Sequence, residues 1–116
     1  MTTISLEGKK LLQSMTNIKN SYPRISIITV TLNAEAVLRA TINSVANQSR
    51  LPFEYIIIDG GSKDGTILVI DDYRAIMTSL LSEPDEGIYH AMNKGINLAT
   101  GDLIGIINAG DTYLPN

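Results

Sequence analysis

Two apolar runs, each followed directly by an acidic turn that contains glycine, constrain the fold of this chain more than any other feature. The first run covers residues 53–58 and leads into Asp59 and two glycines. The second covers residues 103–107 and leads into the turn that ends at Asp111. Both runs are rich in isoleucine, which is typical of strands buried in a parallel sheet. Because ligands bind outside the carboxyl ends of such strands, the two turns predict a site for a polar ligand and a cation.

The rest of the core alternates strands with helices. Apolar and β-branched residues predict four strands, at residues 25–31, 53–58, 76–81 and 103–107. Apolar residues at helical spacing predict helices at residues 36–46, 66–73 and 88–98. We expect Asn33 to cap the first helix, and Asp64 or Ser62 to cap the second. This alternation predicts an α/β fold: βαβ units, right-handed crossovers and a mostly parallel sheet flanked by helices.

Residues 1–22 differ in pattern from the rest of the chain. Leu11, Met15 and Ile18 lie at helical spacing and can form one apolar stripe, and Pro23 ends the segment. The pattern favours a short helical extension that packs on the domain or on a partner, and a partly ordered leader is the alternative. We expect the domain itself to cover residues 23–116.

Composition excludes several classes of function. The chain has 116 residues, enough for one domain with a real core. A net charge of −3 and the lack of a basic block argue against nucleic acid as a partner. The absence of cysteine excludes disulfides and thiolate metal sites. No apolar run approaches the ~18–20 residues of a membrane-spanning helix, and the N-terminus lacks the apolar core of a signal peptide. We therefore expect a cytoplasmic protein, associated at most with the inner face of a membrane.

Five sequence stretches together carry a resemblance to a known family. They are IITVTLN at 27–33, IDGGSKDGT at 58–66, SEPDEGIY at 82–89, AMNKGI at 91–96 and NAGD at 108–111. Each is weak alone, but the five in this order are specific. Residues 24–116 resemble the N-terminal half of a family 2 glycosyltransferase with the Rossmann-like GT-A fold. Within that family they are most similar to the bacterial enzymes that build colanic acid and related surface polysaccharides.

The resemblance implies a nucleotide-diphosphate sugar as ligand, most commonly a UDP-sugar, and Mn²⁺ or Mg²⁺ as cofactor. In the intact family member the sugar is transferred with inversion to a saccharide or lipid-linked acceptor. The general base of that reaction comes from the half that follows the metal turn, so no catalytic residue is assigned in this chain. We expect the chain to be a fragment or truncated form without a complete acceptor site.

The resemblance also implies which residues bind the nucleotide. Asp59 matches the aspartate that accepts a hydrogen bond from the base, and Thr31, Asn33 and Glu35 match residues that line the base and ribose pocket. Asp64 matches a position near the base or ribose. Each acidic residue has a structural alternative: Asp59 can hold its own turn, Glu35 suits the first turn of a helix, and Asp64 can act as a cap.

The metal turn departs from the usual family pattern. The turn commonly holds three acidic residues, and here only Asp111 remains, as the metal candidate. Asn108 can add an amide oxygen or contact the ribose, and a turn or cap role for Asp111 is the alternative. Met92 replaces the arginine that approaches the phosphates. We expect Lys94 to be solvated and His90 to be a partly exposed helical residue without a metal or catalytic role.

Two further functions stay open on the sequence. The early end of the chain, the missing arginine and the reduced metal motif suit a non-catalytic remnant that acts as an assembly or regulatory module. An unrelated doubly wound nucleotide binder ranks lower, because the chain lacks both G-x-G-x-x-G and G-K-[ST] phosphate loops. We also expect uncovered apolar surface to favour a homo-oligomer.

Overall fold

Strands and helices alternate along the described part of the chain. A computed structural model describes Glu7, an exposed helical residue, and residues 23–115. The elements are β1 (Ile25–Thr31), α1 (Glu35–Ala46), β2 (Glu54–Asp59), α2 (Thr66–Asp71), a 3₁₀ helix (Arg74–Ile76), β3 (Ser79–Ser82), α3 (Ile88–Leu98) and β4 (Leu103–Asn108). Apart from Glu7, the expected N-terminal extension lies outside the described residues.

The four strands form one parallel sheet in the order β3-β2-β1-β4. In this register Thr31 pairs with Asp59, and Val30 pairs with Asn108. The carboxyl ends of β1, β2 and β4 therefore meet at one edge of the sheet. The predicted α/β fold with a parallel sheet is confirmed, and this edge is where such folds bind ligands.

Helices pack on both faces of the sheet. Alternate residues of a strand point to opposite faces, so Ile27 packs with α1 and α2 while Ile28 packs with α3. The side of α3 that meets the sheet carries Gly95, where an added Cβ would lie 2.5 Å from Ile28 Cγ2. Glycine at this position therefore lets α3 approach the sheet closely.

The structure corrects two predictions about local elements. The strand expected at residues 76–81 begins only at Ser79, and a 3₁₀ helix precedes it. Thr78 explains the late start, because its Oγ1 accepts the Tyr55 N–H and so takes the place of a backbone partner. Asn33 does not cap α1: Ala34 occupies the cap position, and Asn33 has a φ of 47°. Asparagine tolerates this left-handed conformation better than most residues.

A buried carboxylate ties the opposite edge of the sheet together. Glu54, at the start of β2, is only 7% exposed. It accepts hydrogen bonds from Ser26 Oγ (2.7 Å), Thr100 N (2.5 Å) and Thr100 Oγ1 (3.2 Å). Burial raises the pKa of Glu54, but the hydrogen bonds from Ser26 and Thr100 outweigh it and leave the pKa below its usual value. The ionised side chain thus joins β2, β1 and the turn before β4.

Among the residues that the structure describes, none of the helices has the length and apolar character needed to cross a membrane.

Candidate functional site

A cavity of about 250 Å³ lies at the carboxyl ends of β1 and β4, next to the start of α3. Its walls include Thr31 from β1, Asn108 from β4, Asp85 from the loop before α3, and Ile88 and Ala91 from α3. Pockets that enclose a whole small ligand usually measure about 300–1,000 Å³. The cavity is therefore suited to hold one part of a larger ligand.

Within the described part of the chain, two buried side-chain atoms of residues that line the cavity have no hydrogen-bond partner. They are Thr31 Oγ1 and Asn108 Oδ1, and both are buried. Thr31 is only 6% exposed. Buried polar groups in folded proteins are nearly always paired, so an unpaired one needs an explanation. Because Val30 and Thr31 point to opposite faces of the sheet and Asn108 pairs with Val30, the two atoms lie on opposite faces, and a ligand in the cavity would reach each of them only after a local shift.

Asp85 adds a carboxylate to the same cavity. Its Oδ1 accepts the Gly87 N–H at 3.0 Å. Its Oδ2 lies so close to the turn after β2 that a Cβ on Gly60 would be 2.8 Å away. Asp85 belongs to the stretch at residues 82–89 and was not predicted as a ligand residue. The signal for it was its position after the third predicted strand, which ends at the same edge of the sheet.

The buried carboxylate of Asp59 holds the turn that follows β2. Oδ2 accepts hydrogen bonds from Gly61 N (3.1 Å), Ser62 N (2.9 Å) and Ser82 Oγ (2.8 Å), and Oδ1 accepts one from Ser62 Oγ (2.5 Å). Asp59 is 0% exposed and is not among the residues that line the cavity. These contacts match the alternative in which Asp59 holds its own turn. The predicted contact between Asp59 and a nucleotide base stays a prediction.

Asn33, Glu35 and Asp64 lock two neighbouring loops together. Asn33 Oδ1 accepts the Lys63 N–H at 2.8 Å, and Glu35 Oε1 accepts the Gly65 N–H at 2.9 Å. In the reverse direction Asp64 Oδ2 accepts the Glu35 N–H at 3.3 Å. These bonds join the loop before α1 to the loop before α2.

Gly65 occupies the cap position of α2, which corrects the expectation that Asp64 or Ser62 caps this helix, but Asp64 still stabilises its start. Its Oδ1 accepts hydrogen bonds from the Thr66 N–H and the Thr66 hydroxyl. The hydroxyl bond is the main reason that the pKa of Asp64 lies below its usual value. With Asn33 and Glu35, Asp64 lines an open depression that adjoins the cavity at Ala34. These three residues therefore lie beside the cavity and are not part of its walls.

The turn that carries Asp111 is anchored by helix α1. Thr41, which is buried, donates its Oγ1 hydrogen to the Asp111 carbonyl (2.8 Å) and accepts the Gly110 N–H (2.9 Å). The Asp111 side chain is exposed. The sequence analysis missed Thr41, whose signal was a hydroxyl on a helix face that is otherwise apolar.

The described residues contain no group of three or more His, Cys, Asp and Glu side chains that could hold a metal. Mg²⁺ and Mn²⁺ prefer oxygen ligands, and Mg²⁺ often takes one or two protein carboxylates together with substrate phosphates. The exposed carboxylate of Asp111 suits a cation that is bound jointly by the protein and by the phosphates of a substrate. It does not provide a metal site by itself.

Lys94 corrects one expectation about α3. It was expected to be solvated, yet its side chain is only 15% exposed. Its Nζ lies 3.0 Å from Glu83 Oε1 and donates a hydrogen bond to the Pro84 carbonyl at 3.2 Å. His90 is exposed, as expected, and its Nδ1 accepts the Glu86 N–H at 2.9 Å.

Residues 26–116 match the family described as glycosyl transferase family 2. The match covers most of the chain. It includes the residues that line the cavity at the carboxyl edge of the parallel sheet. The chain therefore belongs to glycosyl transferase family 2, and the expected membership is confirmed.

Relatives and solved structures agree with this assignment. A PGL/p-HBAD biosynthesis glycosyltransferase of Mycobacterium bovis is 39% identical over 93 residues, which are 78% of this chain and 36% of that protein. The structure of S. aureus TarS 1-349 in complex with UDP-GlcNAc is 25% identical, with a TM-score of 0.70, over 77% of this chain and 27% of that one. A mannosyltransferase of Pyrobaculum calidifontis, solved with GDP-Man and Mn²⁺, has a TM-score of 0.68 at 24% identity, over 78% and 28% of the two chains. This last likeness concerns the fold alone. The chain spans about a third of the length of the curated relatives it matches.

Proposed function

We propose that residues 23–116 are the nucleotide-sugar-binding part of a metal-dependent, inverting glycosyltransferase of surface polysaccharide synthesis. The observation that carries the proposal is the cavity at the carboxyl edge of the sheet, where the lining residues Thr31 and Asn108 each have a buried polar atom without a partner among the described residues. The similarity to TarS, which was solved with UDP-GlcNAc, supports a UDP-sugar as the ligand. The relative from M. bovis, named for PGL/p-HBAD biosynthesis, supports a role in building cell-surface glycans.

The residues that line the cavity carry the kinds of hydrogen-bonding groups that a pyrimidine nucleotide needs, and a small local shift would make the buried Thr31 and Asn108 atoms available. The Thr31 hydroxyl can both donate and accept, while Asn108 Oδ1 and the Asp85 carboxylate accept. Uracil presents one N–H donor and two carbonyl acceptors, and ribose presents hydroxyl donors. We therefore propose that the base or ribose occupies this cavity, which is too small for the whole nucleotide sugar.

The predicted base contact of Asp59 makes a stricter demand. Its Oδ1 accepts only one hydrogen bond, so it retains capacity for a second. However, Asp59 is 0% exposed, so the turn around Ser62 must shift to admit a ligand. Asn33, Glu35 and Asp64 serve the site by fixing its loops, and their direct contact with the ligand remains a prediction.

We propose that Asp111 binds the divalent cation together with the diphosphate of the ligand. The bound cation would neutralise charge that develops on the diphosphate as it leaves. Thr41 keeps the turn of Asp111 in place through the Gly110 and Asp111 backbone. We assign no general base within residues 23–115. In the proposed enzyme, that base deprotonates the hydroxyl of a saccharide or lipid-linked acceptor. We place the reaction in the cytoplasm, at the inner face of the membrane.

Titration calorimetry with UDP, with and without Mn²⁺, tests the proposal, and Thr31→Val is the informative variant. Valine keeps the shape of threonine but removes the hydroxyl, so the free energy of UDP binding should become less favourable by about 0.5–1.5 kcal/mol. The same change removes an unpaired buried group, so the free protein should unfold at the same or a higher temperature. A folded protein that binds no nucleoside diphosphate would refute the proposal.

The reduced metal turn favours one other candidate, a non-catalytic module for assembly or regulation. Only one carboxylate stands at residues 108–111, and Met92 occupies the position of the family's arginine. Nucleotide binding that persists in full when Mn²⁺ is removed, without sugar transfer by the whole protein, would favour this candidate over the enzyme.

A further inference from the structure

We propose that His90 and Lys94 are positioning residues that hold the acidic loop at residues 83–87, so that Asp85 faces the ligand cavity. The proposal rests on the proposed function for the identity of the ligand. The contacts that hold the loop stand independently of it.

The loop needs external support because its own chemistry opposes a fixed position. It carries three carboxylates within four residues, Glu83, Asp85 and Glu86, which repel one another. Gly87 has a φ of 120°, so the loop ends in a conformation that only glycine adopts easily. Among the described residues that line the cavity, Asp85 alone has a charged side chain. Its placement therefore decides the charge that a ligand meets.

His90 holds the side of the loop that follows Asp85. It is the third residue of α3, and its Nδ1 accepts the Glu86 N–H at 2.9 Å. This bond resembles half of a capping box, but the N–H that it accepts belongs to Glu86, one residue before the N-cap Gly87. Only an unprotonated ring nitrogen can accept, so this bond requires the neutral imidazole with its proton on Nε2.

Lys94 holds the side of the loop that precedes Asp85. It lies four residues after His90 and thus on the same face of α3. Its Nζ donates to the Pro84 carbonyl at 3.2 Å and lies 3.0 Å from Glu83 Oε1. The side chain is largely buried, so its charge interacts with this loop more than with solvent.

Asp85 is therefore held between two anchored neighbours. The bond from His90 fixes the backbone at Glu86, and the bonds from Lys94 fix Glu83 and Pro84. Gly60 leaves the space into which the Asp85 carboxylate projects. Loss of either anchor should allow the loop to move and should weaken ligand binding, although neither His90 nor Lys94 lines the cavity.

Two pairs of matched variants test this proposal. His90→Asn keeps an acceptor at the position of Nδ1, whereas His90→Leu removes it. Lys94→Arg keeps the donors and the charge, whereas Lys94→Met keeps only the apolar stem. For each variant we would measure the amide exchange rate of Glu86 by NMR, the affinity for UDP in the presence of Mn²⁺, and the thermal unfolding temperature.

We expect His90→Leu to speed amide exchange at Glu86 and to weaken UDP binding, each by about fivefold, the equivalent of one ordinary hydrogen bond. Lys94→Met should weaken UDP binding by a similar factor. His90→Asn and Lys94→Arg should stay near the wild type, and all four variants should remain folded.

Three results would overturn the proposal. One is faster exchange at Glu86 in His90→Leu with unchanged UDP affinity, which would make the bond structural only. Another is equal loss of affinity in His90→Asn and His90→Leu, since the acceptor atom would then be irrelevant. The last is equal exchange at Glu86 in both of these variants. If the wild-type protein bound no UDP, the proposed function would fail, and the exchange rates alone would still decide whether His90 holds the loop.

Discussion

Glu54→Ala should destabilise the fold through three hydrogen bonds at the edge of the sheet opposite the cavity. The carboxylate accepts bonds from the Ser26 hydroxyl and from the backbone and hydroxyl of Thr100, and it is almost fully buried. Alanine would leave the Thr100 N–H without an acceptor, while the two hydroxyls can rotate toward other partners. One buried donor left unpaired costs about 1–3 kcal/mol, and the partial loss at the hydroxyls adds to this. We therefore expect a total of about 2–3 kcal/mol.

Glu54→Gln is the matched control for this prediction. Glutamine keeps the size of the side chain and one acceptor oxygen, so it can retain the bonds from Ser26 and the Thr100 N–H. The charge is lost, and we expect a cost of about 1 kcal/mol. Urea unfolding curves followed by circular dichroism would give both free energies. Equal stability of the alanine and glutamine variants would contradict the hydrogen-bond account.

The same pair of proteins gives a pH test with a definite sign. The pKa of Glu54 is lower in the folded protein than the ordinary value of 4.5, so the folded state favours the ionised form. The resulting stability is present above pH 4.5 and is lost as the pH falls through the folded pKa. Wild-type stability should therefore decline more steeply than that of Glu54→Gln below about pH 5. Parallel declines of the two proteins would refute the assigned role of the ionised Glu54.

Four further predictions follow from the site and its surface. Asp111→Ala should abolish the dependence of UDP binding on Mn²⁺ while leaving weak binding, and full metal dependence in calorimetry would exclude Asp111 as the ligand. Asp59→Ala should lower the free energy of unfolding by about 2–4 kcal/mol, because four hydrogen bonds to its carboxylate are lost. The variant should also discriminate less between UDP and CDP. Unchanged stability in urea unfolding would count against the role of Asp59 in holding its turn. Thr41→Val should lower the free energy of unfolding by about 1–3 kcal/mol, because the Gly110 N–H and the Asp111 carbonyl lose their partner. Thr31→Val should not lower it, and similar unfolding free energies for the two variants would contradict this distinction. The exposed Ile104 and Ile106 of edge strand β4 should promote self-association, which light scattering would disprove if the mass stayed that of a monomer at high concentration.

The sequence predicted some residues of the candidate site but not others. Thr31 and Asn108 were predicted as ligand residues, and the structure places both on one cavity with unpaired polar atoms. Asp85 was not predicted as a ligand residue, although it lines the same cavity. Its role depends on the close approach of the loop to Gly60, a contact across 25 positions of the chain that no local pattern encodes.

Local periodicity by itself determined the elements whose sequence preferences are strong. β1 and α3 have the predicted bounds, because a run of β-branched residues and an apolar stripe at helical spacing each specify their element without help from neighbours. The parallel sheet followed from the alternation of strands and helices. These features depend on backbone preference and on the burial of apolar side chains, which are properties of short segments.

Tertiary structure decided which polar side chains are engaged in holding the fold. An aspartate after a strand has the same local sequence whether it reads a base, as predicted for Asp59, or holds a turn. The outcome depends on Ser82, a residue of another strand that donates to the same carboxylate. Lys94 was likewise expected in solvent and instead bonds to Glu83 and Pro84. Hydrogen bonds between segments distant in the chain depend on distances set by packing, and only the folded structure contains those distances.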